Sequence, residues 1–330
     1  MNELLPLIFL GLMALAMLIY VVLDGYDLGV GILLRRAEDV EKDRMIASIG
    51  PFWDANETWL VLGVGILLVA FPMAHGMILG GLYLPVTFML IGLILRGVAF
   101  DFRVKARAHH KPLWNMAFYA GSLIAAFSQG FMLGIYILGF DYTLGNTLFA
   151  IFIGLSLVAG YALLGSCWLL LKTEGKLFRR AVRWAYGSLW LTGLGIAAVS
   201  IATPLVSTRI FEKWFALPQL FWLLPIPLLT ALFFFVCERQ LRKLSLGLHE
   251  KIWVPFACAI SLFVLAFIGL GYSLFPYLVV DKLRYDQAAS APESLLIMLV
   301  GVAITLPAIL FYTAYSYRVF WGKATDLSYE

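Results

Sequence analysis

Charge is what this sequence has least of. Only 13% of its residues are Asp, Glu, Lys or Arg, against roughly a quarter in an average soluble domain. That scarcity excludes water as the solvent for most of the surface. Histidine is nearly missing as well: His75, His109, His110 and His249 are the only four, and none stands near the middle of a long apolar run. A helix bundle that carries a haem needs an axial ligand inside the bundle, so the sequence points away from a redox centre owned by this chain. The three cysteines, Cys167, Cys237 and Cys258, are an odd number without C-x-x-C spacing. They read as small buried hydrophobes, not as a disulfide framework. The sequence also lacks C-x-x-C-H, a Gly-rich phosphate loop and a nucleophile–base pair. Its net charge of +4 is modest and spread over many loops, which fits loops beside an anionic leaflet and excludes nucleic acid as a partner. The N-terminus has no basic n-region or small-residue cleavage site and reads as a retained first span.

What is present is apolar: 62% of the residues are hydrophobic and the mean hydropathy is +0.91. A spanning helix needs about 20 mostly apolar residues. That rule predicts an all-α, polytopic membrane protein of about nine helices in packed bundles: Leu4–Leu34, Asn56–Ala74, Met77–Phe100, Leu113–Gly139, Thr147–Leu171, Trp184–Val206, Leu217–Cys237, Ile252–Phe275 and Ser294–Trp321. The first run is longer than one span requires and is expected to protrude or to bend near Gly25. No internal repeat or long linker interrupts the chain, so residues 1–330 read as one integral membrane domain. Gly63–Pro72 and Gly269–Pro276 are alike, as two similar helix stops. With nine spans, 19 of the 24 Lys and Arg residues fall on one side and only Arg209, Lys213, Lys282 and Arg284 on the other. By the positive-inside rule the N-terminus is periplasmic and the C-terminus cytoplasmic, in a bacterial inner membrane.

Charges inside hydrocarbon are expensive, so each one needs a reason. Asp24 and Asp27 lie in the first run three residues apart, which puts both carboxyls on one helix face. Asp27 is about 12 Å along the axis from Arg35, in the cytoplasmic half of the span. Gly25 and Gly29 beside them are spaced for close approach of another helix. The second span opens with Trp53, Asp54, Asn56 and Glu57, and the third closes with Arg96 and Asp101. Three consecutive helices thus carry acids, an amide and one arginine to one layer. Carboxyls in a low-dielectric site exchange protons near neutral pH, and a nearby guanidinium keeps some of them ionised. This is the composition of a proton relay or a proton-coupled site, with Asp54, Glu57, Asp27 and Asp24 as the candidate proton carriers. The blander reading is that Arg96 pairs with one acid only to hold three helices in register. Asp24 and Asp27 lack the further ligand spacing that a metal requires. Trp53 and Trp59 have an ordinary place at a membrane interface, with quinone stacking by Trp53 as the alternative.

These motifs carry a family resemblance. Leu23-Asp24-Gly25-Tyr26-Asp27-Leu28-Gly29-Val30-Gly31, then Trp53-Asp54 with Asn56 and Trp59, then Arg96, Val98, Phe100, Asp101 and Arg103, resemble subunit II of cytochrome bd-type quinol oxidases. Lys172–Gly175, Phe275-Pro276 and Leu310–Tyr315 are similar to family segments too. The likeness is strong over residues 1 to 112 and patchy but collinear beyond. Ala55, where many members have Gly, and Glu57, where an amide or apolar residue is common, depart from it. With the compact periplasmic loops, the chain looks more like the cyanide-insensitive branch.

The resemblance implies a complex that oxidises quinol, with ubiquinone one candidate, and reduces dioxygen to water. It implies a partner, subunit I, that carries two b-type haems and a d-type or third b-type haem. A small accessory subunit is left open. Carried over, Asp54 opens a cytoplasmic proton path, and Asp27, Asp24, Trp53, Arg96 and Asp101 belong to the layer around it, where Trp53, Arg96 and Asp101 serve structure or partner contact. The competing readings are a proton-coupled transporter and a purely structural assembly subunit. A transporter would show inverted repeats around a midplane site, and here the charges sit off-centre.

The charge split yields a direct expectation. A reporter active only in the periplasm should work when fused after Gly139 and fail when fused after Lys176; the opposite pattern would reverse the orientation.

Overall fold

A computed structural model describes residues 4–324 except His249. Among the described residues, nine helices are long and apolar enough to cross a membrane. They belong to α1 (Leu5–Leu33), α3 (Trp53–Ala70), α4 (Pro72–Lys105), α5 (Lys111–Ile137), α6 (Leu144–Lys172), α7 (Gly175–Val206), α10 (Pro225–Ser245), α11 (Val254–Leu274) and α13 (Pro292–Val319). Short elements fill the connections: α2 (Asp39–Ile49), α8 (Thr208–Phe215), α9 (Gln219–Leu223) and α12 (Tyr285–Ala288), with an antiparallel hairpin of β1 (Tyr277–Val279) and β2 (Leu283–Arg284). The all-α reading therefore holds, apart from this one hairpin.

Several boundaries differ from the hydropathy expectation. α1 runs unbroken through Gly25 and ends in a 3-10 turn, Leu34–Arg36. The second span begins at Trp53, three residues before the expected Asn56, so Asp54 lies in its first turn and not ahead of it. The third starts at Pro72, because proline suits a first helical turn, and is irregular at Leu82, three residues before Pro85. Proline removes a backbone donor and crowds the preceding turn, which accounts for the break. α2 escaped a search for apolar runs because it is polar; its start is fixed by a capping box between Glu38 and Glu41.

The connections sort into two sets. At one end Arg103 on α4 pairs with Asp43 on α2 at 2.6 Å, and Arg180 on α7 with Glu38 at 2.5 Å. At the same end Ala324 donates its backbone N–H to Lys172. At the opposite end Ser290 bonds the backbone of Val69 and Ala70, and Tyr136 donates to the Leu278 carbonyl at 2.5 Å. Arg209 meets Asp281 there at 3.1 Å. Every second connection thus meets at the same end, as nine crossings require. The first set carries most of the basic residues and is called the basic end below.

α1 is central, and small residues let its neighbours close on it. A Cβ on Gly29 would collide with the Tyr161 carbonyl and lie 2.8 Å from the Gly165 nitrogen, so α1 and α6 cross backbone to backbone. α4 and α5 meet in the same way where Gly92 faces Gly121. These crossings bring α1, α4, α5 and α6 into register at the depth of Asp24 and Asp27.

Candidate functional site

Arg96 stands at the centre of the site and is 1% exposed. Its position on α4 is fixed from behind by α5, since a Cβ on Gly121 would lie 2.7 Å from the Arg96 nitrogen. One terminal nitrogen, Nη2, donates to Asp24 Oδ1 on α1 at 2.7 Å and also to Glu57 Oε1 on α3. One guanidinium therefore ties three helices through two carboxylates. Asp24 is fully buried, whereas the Glu57 side chain keeps 27% of its surface. Trp53 lies beside this pair, its ring 6.0 Å from the guanidinium and 4.8 Å from Phe100. It walls Arg96 from the outside.

Asp27 belongs to a second group one turn along α1. Asn56 Nδ2 donates to Asp27 Oδ2 and to the Tyr26 hydroxyl, both at 2.8 Å. Tyr317 on α13 donates to Asn56 Oδ1 at 3.3 Å, and its oxygen is 2.5 Å from that of Tyr26. The Asn56 amide, as placed, gives this ring one direction: Asn56 to Tyr26, Tyr26 to Tyr317, Tyr317 back to Asn56. A third line runs away from the basic end. Tyr161 on α6 donates to Gln129 Oε1 on α5 at 2.6 Å, and Gln129 Nε2 donates to Tyr20 at 2.8 Å. The Tyr20 hydroxyl lies beside Asp24. Tyr161 and Gln129 thus both donate in the direction of Tyr20.

Not every polar atom here is matched. Asp24 Oδ2, Asp27 Oδ1, Arg96 Nε and Nη1, and Trp59 Nε1 are buried and have no hydrogen-bond partner among the described residues. Buried polar groups are otherwise nearly always bonded. The carboxylate oxygens among these atoms are acceptors, and the Arg96 and Trp59 nitrogens are donors.

The sequence-derived residues divide accordingly. Asp24, Asp27, Glu57 and Arg96 come together, with Trp53 against them. Asp54 and Asp101 do not join: both are exposed and form no hydrogen bond or ion pair among the described residues. Asp54 lies one turn before Glu57, nearer the basic end of α3. Tyr20, Tyr26, Gln129, Tyr161 and Tyr317 were missed. Gln129, a lone amide in an apolar span, was visible as a signal; Tyr317, 291 residues from Tyr26, was not.

The described histidines lie near the ends of spans. Among the described histidines, His75 opens α4, and His109 and His110 form the 3-10 turn Ala108–His110 before α5. His249 lies outside the described residues. All three described histidines lie within the first four residues of a candidate span, near its end and not at mid-depth. Among the described residues no group of three or more His, Cys, Asp or Glu is arranged to hold a metal ion. Cys167, Cys237 and Cys258 are all buried and unbridged.

Comparison with known proteins supplies a frame for this geometry. The family model for cytochrome bd terminal oxidase subunit II matches residues 5–320. Subunit 2 of the cytochrome bd ubiquinol oxidase of Bacillus subtilis (strain 168) is 30% identical over 90% of each chain. Subunit 2 of the cytochrome bd-I ubiquinol oxidase of Escherichia coli (strain K12) is 25% identical over 99% of this chain and 97% of its own. A chain of the solved bd oxidase from Geobacillus thermodenitrificans shares the fold, with a TM-score of 0.76 over 96% of this chain and 98% of that one, at 16% identity.

The network makes Arg96 a stability test. Arg96→Leu leaves Asp24 buried without its cation, which costs about 3–5 kcal/mol, and should sharply reduce the folded protein recovered in detergent. Adding Asp24→Asn removes the stranded charge and should recover part of the loss. Asp101→Asn, exposed and outside the network, should shift thermal unfolding by no more than about 0.5 kcal/mol.

Proposed function

This chain belongs to the cytochrome bd terminal oxidase subunit II family, and from that premise we propose its part in the complex. It acts as the haem-free subunit of a quinol:dioxygen oxidoreductase, supports assembly of the haem-carrying subunit I, and brings protons toward that partner from the basic end. The positions of the histidines support the haem-free reading, since any axial ligand must then come from another chain. The positive-inside rule supports a cytoplasmic basic end with the N-terminus periplasmic. The names of the relatives support a quinol as the reductant, with ubiquinol as the candidate. The whole of residues 1–330 works as one membrane domain.

The single observation that carries the proton role is the step from exposure to burial along α3. Asp54 is exposed at the first turn. Glu57, one turn further, is partly exposed and bonded to Arg96. Arg96 bonds the fully buried Asp24, and Asp27 lies one turn from Asp24. Reduction of dioxygen to water consumes protons, and a site inside a bilayer must receive them through polar groups. Two carboxylates on one guanidinium, with a third carboxyl one turn away, gather proton-binding groups where charge is expensive. Asp54 takes a proton from solution, Glu57 receives it beside Arg96, and Asp24 and Asp27 hold it at depth. Trp53 and Arg96 position these groups. Asp101, which faces away from them, is assigned to contact with the partner or to the loop.

Asp54→Asn keeps size and most hydrogen bonding but cannot carry a proton. In the purified complex this variant should keep a normal haem spectrum while quinol-driven oxygen consumption falls by about tenfold or more, within the range that general acid–base groups contribute. Loss of haem in step with activity would favour the purely structural reading.

A further inference from the structure

We propose that α8 and the hairpin beside it bind the headgroup phosphate of an anionic phospholipid, with Arg209 and Lys213 as the two cationic contacts. The first support is location. The span on α7 closes at Leu205 and the next opens at Gln219, so α8 lies at the membrane boundary opposite the basic end. Its inner side is anchored: Ile210 is 1% exposed, and Trp214 donates to Ser273 Oγ on α11 at 2.8 Å. Its outer side is apolar, with Phe211 and Phe215 exposed and stacked at 4.9 Å. Trp222, just beyond, is 81% exposed. A short amphipathic helix that turns aromatics outward beside spanning helices lies in the plane of the interface.

The second support is the way the two cations are held. Arg209 and Lys213 are one turn apart on the same face of α8. The Arg209 guanidinium lies 5.2 Å from the centre of the Tyr277 ring, and one edge meets Asp281 at 3.1 Å. Its Nη2 is buried and has no hydrogen-bond partner among the described residues. The Lys213 ammonium sits 4.7 Å from the Tyr272 ring and donates one bond to the Phe275 carbonyl. An ammonium has three donors, and no carboxylate pairs with this one among the described residues. Burial and the nearby Arg209 charge both lower the Lys213 pKa. Two cations are thus fixed side by side on aromatic walls, with donors unspent, while Asp286 is engaged by Arg284.

A phosphodiester matches this arrangement. It brings one negative charge and several acceptor oxygens to a pair of cations, and its acyl chains lie in the hydrocarbon beside the adjoining spans. A bilayer presents such groups at this depth. Free phosphate shares the headgroup chemistry but has no acyl chains to hold it at the bilayer. An acidic segment of a partner protein is the other competitor.

The test uses the intact, delipidated oxidase complex and native mass spectrometry. It is titrated with dioleoyl phosphatidylglycerol, dioleoyl phosphatidylcholine or inorganic phosphate. The expected result is preferential retention of phosphatidylglycerol, weakened about tenfold or more by combined Arg209→Gln and Lys213→Gln, with phosphatidylcholine unaffected. Lys105→Gln, exposed at the basic end and away from α8 and the hairpin, should leave this retention unchanged. Lys213→Gln alone serves if the double variant fails to assemble, and should weaken retention severalfold. Equal retention of both lipids, binding of inorganic phosphate alone, no effect of the α8 variants, or protection of Lys213 by a co-purifying protein would each overturn the proposal.

Discussion

A guanidinium buried in hydrocarbon has to be neutralised, and Arg96 is neutralised by carboxylates from two other helices. The rest of the site depends on that constraint. α4 cannot slide along α1 without breaking the bond to Asp24, and α3 cannot tilt away without breaking the bond to Glu57. Replacing such a cluster by apolar residues is often neutral or stabilising in other proteins, so stability alone is weak grounds for its presence.

Packing and charge act together at this depth. The backbone approach of Gly29 to Gly165 and of Gly92 to Gly121 leaves no room for side chains between those helices. The polar residues are consequently driven to the α1–α3–α4 side, where Asn56 and Glu57 meet them. On the far side of α1 the Tyr161–Gln129–Tyr20 line is held by the same crossings, since Tyr161 packs against Gly25. At the basic end Tyr26 stacks on Trp168 at 4.3 Å and Phe52 on Tyr317 at 4.5 Å. These rings set the hydroxyls of Tyr26 and Tyr317 against Asn56.

Much of this was legible in the sequence because a bilayer imposes simple rules. Nine apolar runs announce nine helices, and acids inside such runs announce a site. The i, i+3 spacing of Asp24 and Asp27 placed them on one face, as observed. Helical geometry also separates Arg96 from Asp101: five residues correspond to about 140° around the axis, so Asp101 faces elsewhere despite lying in the same motif. What could not be read was pairing between distant helices. Nothing in the local pattern joins Tyr317 to Tyr26 or chooses Glu57 over Asp54 as the second partner of Arg96. The polar helix α2 and the hairpin Tyr277–Arg284 were hidden for a different reason: neither contains an apolar run long enough to span.

The central claim is that Asp54 and Glu57 form the way in from the basic end to the buried carboxyls. Single-turnover proton uptake, followed with a pH indicator as the fully reduced complex reacts with dioxygen, tests it most directly in an Asp54→Asn and Glu57→Gln double variant. The account predicts intact haem content with uptake slowed by about tenfold or more. Uptake at the unmodified rate, with haem content preserved, would contradict it.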